Sequence, residues 1–160
     1  MKRILFALTI CFFITGCGVT LSDYEDAVLD GVSNLNLNKP EKALKDFNRA
    51  IDIDPSRADA YLGRANTLST LGRYAEALPD YDRALEIDPK LANAYANRGS
   101  AHSHTGQYKK AIADYEKALE LDPKIDEAPG FLDRLFSDEP NADKGIRKHL
   151  EYLKSKVEDS

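Results

Sequence analysis

The sequence predicts an all-α fold: a solenoid of three helical hairpins, with an export signal before it and helices that close its end. The first indication is a repeat, because the dipeptide Asp-Pro occurs at positions 54–55, 88–89 and 122–123, 34 residues apart each time. The second is that small and aromatic residues fall into columns when the chain is aligned on this period. The third is that apolar residues near the end recur at the three- and four-residue steps of a helix.

The chain begins with two cations, Lys2 and Arg3, followed by eleven almost wholly apolar residues from Ile4 to Ile14. A helix needs roughly 18 to 20 apolar residues to cross a bilayer. The shorter run after two cations is typical of an export signal rather than of a permanent anchor.

Small residues precede a cysteine in the segment Ile14-Thr15-Gly16-Cys17. This segment resembles the lipobox of bacterial lipoproteins, and the resemblance implies cleavage before Cys17 and lipidation of its sulfur. We therefore expect residues 1–16 to be a signal peptide that is removed, and residues 17–23 to be a lipidated tether. A plain signal peptide without lipidation is the alternative.

Removal of the signal takes Lys2 and Arg3 from the 22 basic residues and leaves 20 against 27 acidic ones, a net charge of −7. Phosphate binding depends on neutralising cations, so this balance argues against nucleic acid as a partner. Membrane association is then expected through the lipid and not through a basic patch. Because Cys11 leaves with the signal and Cys17 carries the lipid, the rest of the chain has no thiol for a disulfide or a metal.

Five columns of the 34-residue period carry the repeat. They are Gly31, Ala65 and Gly99; Asn38, Gly72 and Gly106; Ala43, Ala77 and Ala111; Phe47, Tyr81 and Tyr115; and Ala50, Ala84 and Ala118. With the proline of each copy, these columns resemble the tetratricopeptide repeat, in three copies over residues 24–57, 58–91 and 92–125. The resemblance implies two helices per copy and stacking into a right-handed superhelix.

Each column has a mechanical reason. Alanines seven residues apart lie two turns apart on one helical face, where a small side chain lets the next helix approach, and the aromatic between them fills the remaining space. Gly72 and Gly106 suit the left-handed residue that follows a helix, and Asn38 is the usual substitute. Proline ends each second helix because it cannot continue the hydrogen-bond ladder.

Two prolines depart from the pattern. Pro40 stands where the other copies have tyrosine, at about the first position of a helix, where proline is tolerated. Pro79 falls inside the second helix of repeat two, and we expect a local kink there.

Charged residues also form columns. Arg64 and Arg98 share one column, in which repeat one has Asp30, and Asp46, Asp80 and Asp114 share another. We expect Asp46 to pair with Arg64, and Asp80 with Arg98, across consecutive hairpins.

The period fades after Lys124, but helical patterning continues through residues 126–160. A short helix is expected around Phe131, Leu132, Leu135 and Phe136, and a second one carries Ala142, Ile146, Leu150, Leu153 and Val157 on one face. A solenoid needs an end helix with one wet face, so this segment is interpreted as a cap. An amphipathic helix that binds a partner is the alternative.

Motifs of catalysis are absent from the sequence. There is no glycine-rich phosphate loop, no His-Glu-x-x-His and no Gly-x-Ser-x-Gly. His102 is expected in the core, and His104 lies two residues on, roughly 200° away around a helix, so the two do not easily share a metal. We expect no enzyme activity, no cofactor, no metal and no small-molecule substrate. An enzymatic role through a site without these motifs, with His104 as the residue to test, is the alternative.

In the family that the chain resembles, the first helix of each hairpin lines the concave surface. Matching the helix positions predicts a partner-binding groove made by Val28, Val32, Asp59, Leu62, Asn66, Thr70, Asn93, Asn97, Ser100 and His104. Carboxamides such as Asn66 and Asn97 can hold a peptide backbone without reading its sequence. Simple hydrated surface is the alternative.

Family members that grip a C-terminal carboxylate use lysine and arginine at set groove positions. Here those positions hold Val28, Val32, Gly63, Asn93 and Asn97, which disfavours a carboxylate clamp. An extended or helical segment of another protein suits the groove better.

These features predict a membrane-anchored adaptor of the bacterial envelope that binds an envelope protein or peptide. Gly18 after the lipid cysteine resembles the pattern of lipoproteins sent to the outer membrane, at its periplasmic face, if the cell has two membranes. The alternative is a structural lipoprotein that assembles with itself through the C-terminal helices.

Overall fold

A computed structural model describes residues 21–125 and 145–158. Those residues form seven helices and contain no strand. The helices are α1 Leu21–Asn36, α2 Pro40–Ile53, α3 Ala58–Thr70, α4 Tyr74–Ile87, α5 Ala92–His104, α6 Tyr108–Leu121 and α7 Ile146–Glu158. Of these helices, none is long and apolar enough to cross a membrane. The predicted signal peptide, Cys17 and the predicted helix around Phe131 lie outside the described residues.

Consecutive helices pack as hairpins, α1 with α2, α3 with α4 and α5 with α6, and each hairpin packs on the next. This is the predicted solenoid of helical pairs. The fold is all-α and superhelical, as the repeat indicates.

The turn inside each hairpin contains one residue with positive φ: 56° at Asn38, 72° at Gly72 and 76° at Gly106. After Gly72, the Arg73 N–H donates to Leu68 O at 2.9 Å, while the Gly72 N–H donates to Ser69 O at 2.9 Å. This pair of bonds is the Schellman arrangement, which satisfies the last carbonyls of a helix. The predicted left-handed column is confirmed in all three hairpins.

The two helices of a hairpin approach closely because small residues face an aromatic ring. A Cβ atom built on Gly31 would lie 2.8 Å from Phe47 Cζ, and one built on Gly99 would lie 3.0 Å from the Tyr115 ring. The alanines that flank the aromatic in the second helices are fully buried: Ala43, Ala50, Ala77, Ala84, Ala111 and Ala118. The columns thus mark the contact faces of the helices.

The Asp-Pro dipeptide closes each hairpin with its aspartate as well as with its proline. Asp54 Oδ1 accepts the N–H of Ser56 at 3.0 Å, and Asp88 and Asp122 accept from Lys90 and Lys124 at the same distance. Such a bond turns the backbone immediately after the helix. The proline supplies no N–H for the helix to use.

Both prolines are accommodated in helices. Pro40 is the first residue of α2, as expected. Helix α4 runs from Tyr74 to Ile87 with Pro79 inside it, so the helix is not ended by this residue.

The expected partners of the arginine column are wrong. Arg64 makes two hydrogen bonds to Asp80, at 2.7 and 2.6 Å, within its own repeat, and Arg98 does the same with Asp114, at 2.9 and 2.7 Å. Asp46 instead accepts from Asn34 Nδ2 at 2.8 Å. A first-helix arginine therefore reaches the second helix of its own hairpin.

The arginines also contact the preceding hairpin, through the column of Asn48 and Asp82. Arg64 Nη1 donates to Asn48 Oδ1 at 2.7 Å, and Arg98 Nη1 donates to Asp82 Oδ1 at 2.7 Å. Each arginine thereby joins three helices. Such forked bonds fix orientation because the guanidinium is planar.

Helix α7 occupies the place on α6 that the first helix of a further repeat would take. Near its start, Arg147 Nη2 donates to Pro123 O at 2.7 Å, and near its end Lys156 Nζ lies 4.4 Å from the centre of the Tyr108 ring. It therefore runs antiparallel to α6. Lys154 pairs with Glu116 at 2.6 Å, as Arg98 pairs with Asp82 one repeat earlier.

The apolar face of α7 is buried in the last core cluster. Ile146, Leu150 and Leu153 pack with Tyr115 and the alanines of α6. Three of the residues predicted on that face are thus in contact with the solenoid, while Ala142 lies outside the described residues.

We predict that Arg98→Met lowers the free energy of unfolding by about 2–3 kcal/mol, because it removes both guanidinium hydrogen bonds from the carboxylate of Asp114, which is 8% exposed and keeps His102 Nε2 nearby, at 3.9 Å. Arg83→Met is the matched control, since Arg83 pairs only with exposed Glu86 among the described acidic residues and its loss should leave the free energy of unfolding nearly unchanged. Urea unfolding followed by circular dichroism measures both values. Equal losses in the two variants would contradict a structural role for the arginine column.

Candidate functional site

The concave wall is formed by the first helices of the three hairpins, α1, α3 and α5, which pack side by side. Of the ten predicted groove residues, four are exposed, Val32, Asp59, Thr70 and Asn93, and four are half-buried, Val28, Leu62, Asn66 and His104. The remaining two, Asn97 and Ser100, are buried.

The burial of Asn97 and Ser100 corrects their placement on the groove surface. Asn97 is 4% exposed and Ser100 is fully buried. Helical position places both on the side of α5 that faces the groove, but neighbouring side chains cover them. The position of a residue on a helix predicts the direction of its side chain, whereas the exposure of that side chain depends on which neighbours pack over it.

An apolar patch lies on α1. Leu29 is 67% exposed and Val32 is 44% exposed, among the largest exposures of apolar side chains in the described chain. Val28 beside them is half-buried and packs on the cluster of Tyr24 and Ala27. We call Val28, Leu29 and Val32 the α1 patch.

Polar contacts between α1 and α3 border the α1 patch. The Tyr24 hydroxyl donates to Asp59 Oδ1, and Arg57 bonds Glu25 at 2.6 Å and Asp59 at 3.1 Å. The Arg57 guanidinium also lies 4.1 Å from the centre of the Tyr24 ring. Burial, with the carboxylate of Asp59 next to it, raises the pKa of the Tyr24 hydroxyl well above its usual value. Asp59 therefore holds repeat one to repeat two as well as facing the groove.

Asn66 is part of a hydrogen-bond network inside the wall. Its Oδ1 accepts from Tyr81 Oη and from Asn97 Nδ2, both at 2.9 Å, and Tyr81 Oη also lies 3.1 Å from Ser69 Oγ. The two carboxamides thus meet across α3 and α5. Buried polar groups need such partners, and Asn97 uses one of its two N–H donors in this bond.

The equivalent network differs in repeat three. Ser100 stands in the column of Asn66, and among the described residues its Oγ has no hydrogen-bond partner. Ser103, equivalent to Ser69, contacts His149 Nε2 of α7 at 3.0 Å. The C-terminal helix thereby takes the place of the intrarepeat contact.

The histidines of α5 have separate environments. His102 is 8% exposed, as expected of a core residue, and burial lowers the pKa of its imidazole. His104 stacks on Tyr74, with ring centres 4.0 Å apart and planes within 3°. In the described ranges no group of three or more potential metal-binding side chains comes together.

A cleft of about 400 Å³ opens at the edge of the wall, where α3 begins and α4 passes into α5. Its apolar lining comes from Leu62, Ile87 and Leu91. Two carboxylates, Asp59 and Asp88, and Arg57 are at its border. The cleft continues from the wall, because Asp59 and Leu62 belong to both.

Residues 56–124 match the family described as tetratricopeptide repeat, and residues 36–72 match the TPR repeat; the two matches together span more than half of the chain. The chain belongs to the tetratricopeptide repeat family. An uncharacterised protein of Methanocaldococcus jannaschii is 46% identical over 46 residues, which are 29% of this chain and 54% of that protein. This chain thus spans about half the length of that relative.

Solved tetratricopeptide repeat domains have the same fold. The first TPR domain of Spaghetti (RPAP3), bound to the HSP90 peptide SRMEEVD, gives a TM-score of 0.71 at 21% identity and covers 89% of this chain and 98% of that one. The TPR2B domain of yeast Sti1, in complex with pHsp70, gives 0.67 at 24% identity and covers 85% and 98%. At these identities the likeness concerns the fold.

Some groove features were missed from the sequence. The contacts of Tyr24 and Arg57 with Asp59 join residues 35 and 2 positions apart, and Tyr24 has alanine in its column in the other copies. That irregularity was the available signal. A bulky residue in a column of alanines indicates a contact special to its repeat.

We predict that Asn97→Ala lowers the free energy of unfolding by about 1–2 kcal/mol, because it leaves Asn66 with one partner fewer in a buried network. Asn93→Ala, at an exposed position of the same helix, removes a bond from the Ala94 N–H, which also donates to Leu91 O, and should change the free energy of unfolding by less than about 0.5 kcal/mol. Thermal and urea unfolding check both values. An Asn97 variant of unchanged stability would place that side chain at the surface after all.

Proposed function

We propose that this tetratricopeptide repeat protein is a membrane-anchored adaptor that binds a segment of an envelope protein on its concave wall. The observation that carries the proposal is the α1 patch, where Leu29 and Val32 expose apolar surface at the repeat-one end of the wall. Neighbouring apolar side chains that are held exposed favour a binding role.

Relatives of the same fold support a protein partner. The two solved domains described above are complexes with an HSP90 peptide and with pHsp70. We transfer the general role, protein recognition, and not the ligand. The positions that hold lysine and arginine in carboxylate-binding members are here Val28, Val32 and Gly63 on α1 and α3.

The membrane anchor is proposed on the sequence. Cys17 of the lipobox-like segment precedes the start of α1 at Leu21 by four residues. A lipid on Cys17 would hold the wall close to the membrane, with the outer membrane as the proposed location in a cell that has two. An acyl anchor provides affinity that the acidic chain lacks.

Self-assembly through the C-terminal helices has less support. The apolar residues of α7 that would make such an interface, Ile146, Leu150 and Leu153, are buried against α6 in the chain itself. An adaptor with α7 as a cap accounts for this burial.

We predict that the double variant Leu29→Gln/Val32→Gln loses the partner that the wild-type protein captures from solubilised envelopes. The change removes apolar surface without altering charge or the buried network. Leu37→Gln is the matched control, because Leu37 is also exposed, at 59%, but follows α1 in the turn to α2. Affinity capture with mass spectrometry provides the comparison.

The circular dichroism spectra of both variants must match that of the wild type. A partner retained by the double variant and lost by the Leu37 variant would move the site off the wall. A partner retained by all three proteins would do the same.

We predict that Cys17→Ser abolishes labelling with a clickable fatty acid, because the sulfur of Cys17 is the proposed point of lipid attachment. In-gel fluorescence measures the label, and immunoblotting checks that the variant is present in the same amount. A variant that is still labelled would contradict the anchor and leave the groove proposal in place.

A further inference from the structure

Carboxylates outnumber lysine and arginine on the three helices of the concave wall. Helix α1 carries four carboxylates, Asp23, Glu25, Asp26 and Asp30, and no Lys or Arg. Helix α3 adds Asp59. Across α1, α3 and α5 the basic residues other than histidine are Arg64 and Arg98.

Both arginines are turned away from the groove. Arg64 is bound to Asp80 on α4, and Arg98 to Asp114 on α6, through two hydrogen bonds each. Their guanidinium groups therefore lie between first and second helices and are neutralised there. They offer nothing to an anion in the groove.

The border of the α1 patch remains acidic after its own ion pairs are counted. Arg57 is shared by Glu25 and Asp59, so one cation meets two carboxylates. Asp26 of α1 is exposed three residues from Leu29 on the same helix. Charges within about 10 Å act together at physiological salt, so the field at the patch is negative.

The neighbouring cleft combines the same two features. Leu62, Ile87 and Leu91 line it with apolar surface. Two carboxylates stand with one cation at its border: Asp59, Asp88 and Arg57. A lysine or arginine side chain has the matching form, because its hydrocarbon stem lies on apolar surface while its charged end stays at the wet rim.

We propose that the segment bound at the α1 patch is basic and amphipathic: internal in its protein, with apolar side chains for Val28, Leu29 and Val32 and with lysine or arginine for the acidic border. The inference deepens the proposed function and rests on it. It sets this wall apart from grooves that accept acidic peptide ends, because carboxylates outnumber cations at the repeat-one end and Arg57 is already paired with two of them. Complementary charge gives such a partner both selection and a faster association.

The test uses three acetylated, amidated peptides of one length, alternating leucine with lysine, with glutamine or with glutamate. Fluorescence anisotropy measures their binding to residues 17–160 of the chain. We expect the lysine peptide to bind at least about tenfold more tightly than the glutamate peptide, with a preference that shrinks when the salt is raised from about 50 mM to about 300 mM.

A charge variant supplies the structural control. Val32→Lys places a cation in the α1 patch at a side chain that is already 44% exposed, so it should fold. We expect it to weaken the preference for the lysine peptide, because it offsets one of the carboxylates at the border. Ala113→Lys introduces the same charge at an exposed position of α6 and should leave the preference for the lysine peptide unchanged.

The outcomes separate this inference from the groove itself. Equal or tighter binding of the glutamate peptide, or identical preferences in the two lysine variants, would overturn the basic partner. If the glutamine peptide binds as well as the lysine peptide and its binding is lost in the Leu29→Gln/Val32→Gln variant, the groove stands and the inference fails. If no peptide binds to the wild type, the inference fails as well, and capture from envelopes decides the proposed function separately.

Discussion

Close approach of the two helices in each hairpin is the constraint on which the rest of the structure depends. Phe47 packs on Gly31 of its own hairpin and on Gly63 of the next one, at distances that leave no room for a Cβ atom without movement. One ring therefore sets both the spacing within a repeat and the spacing between repeats. The parallel alignment of α1, α3 and α5, and with it the wall, follows from this packing.

Much of the fold could be predicted because its determinants are local or periodic. The left-handed turn residues at Asn38, Gly72 and Gly106 follow from backbone sterics, and the buried alanines follow from helical spacing. Arginine pairing could not be obtained in this way. Asp46 and Asp80 occupy the same column of the repeat, so the period alone does not say which of them pairs with Arg64. The packing of the helices decides which carboxylate lies within reach of the guanidinium.

The sequence predicts which side of a helix each groove residue lies on, but not how exposed its side chain is. The position of Asn97 along α5 indicates the groove side, yet whether that side is open depends on Asn66 and on the residues that cover both. The α1 patch is exposed for a different reason, since Leu29 lies on the first helix of the described repeats. Ends of solenoids lack a neighbour, so their surfaces have freedom that interior repeats do not have.

Repeat one has no arginine in the arginine column, and this has a mechanical consequence. Because Asp30 stands in that column, α1 is held by the ring of Phe47, by the bond from Asn34 to Asp46 and by the contacts of Tyr24 and Arg57. If the lipid is attached at Cys17, any pull between the membrane and a held protein enters the chain through this helix. Nearest-neighbour stacking makes the first hairpin yield before the clamped second and third. Because the α1 patch lies on this helix, tension that detached α1 would disrupt the patch while the second and third hairpins stayed folded. A segment bound at the patch would then be released.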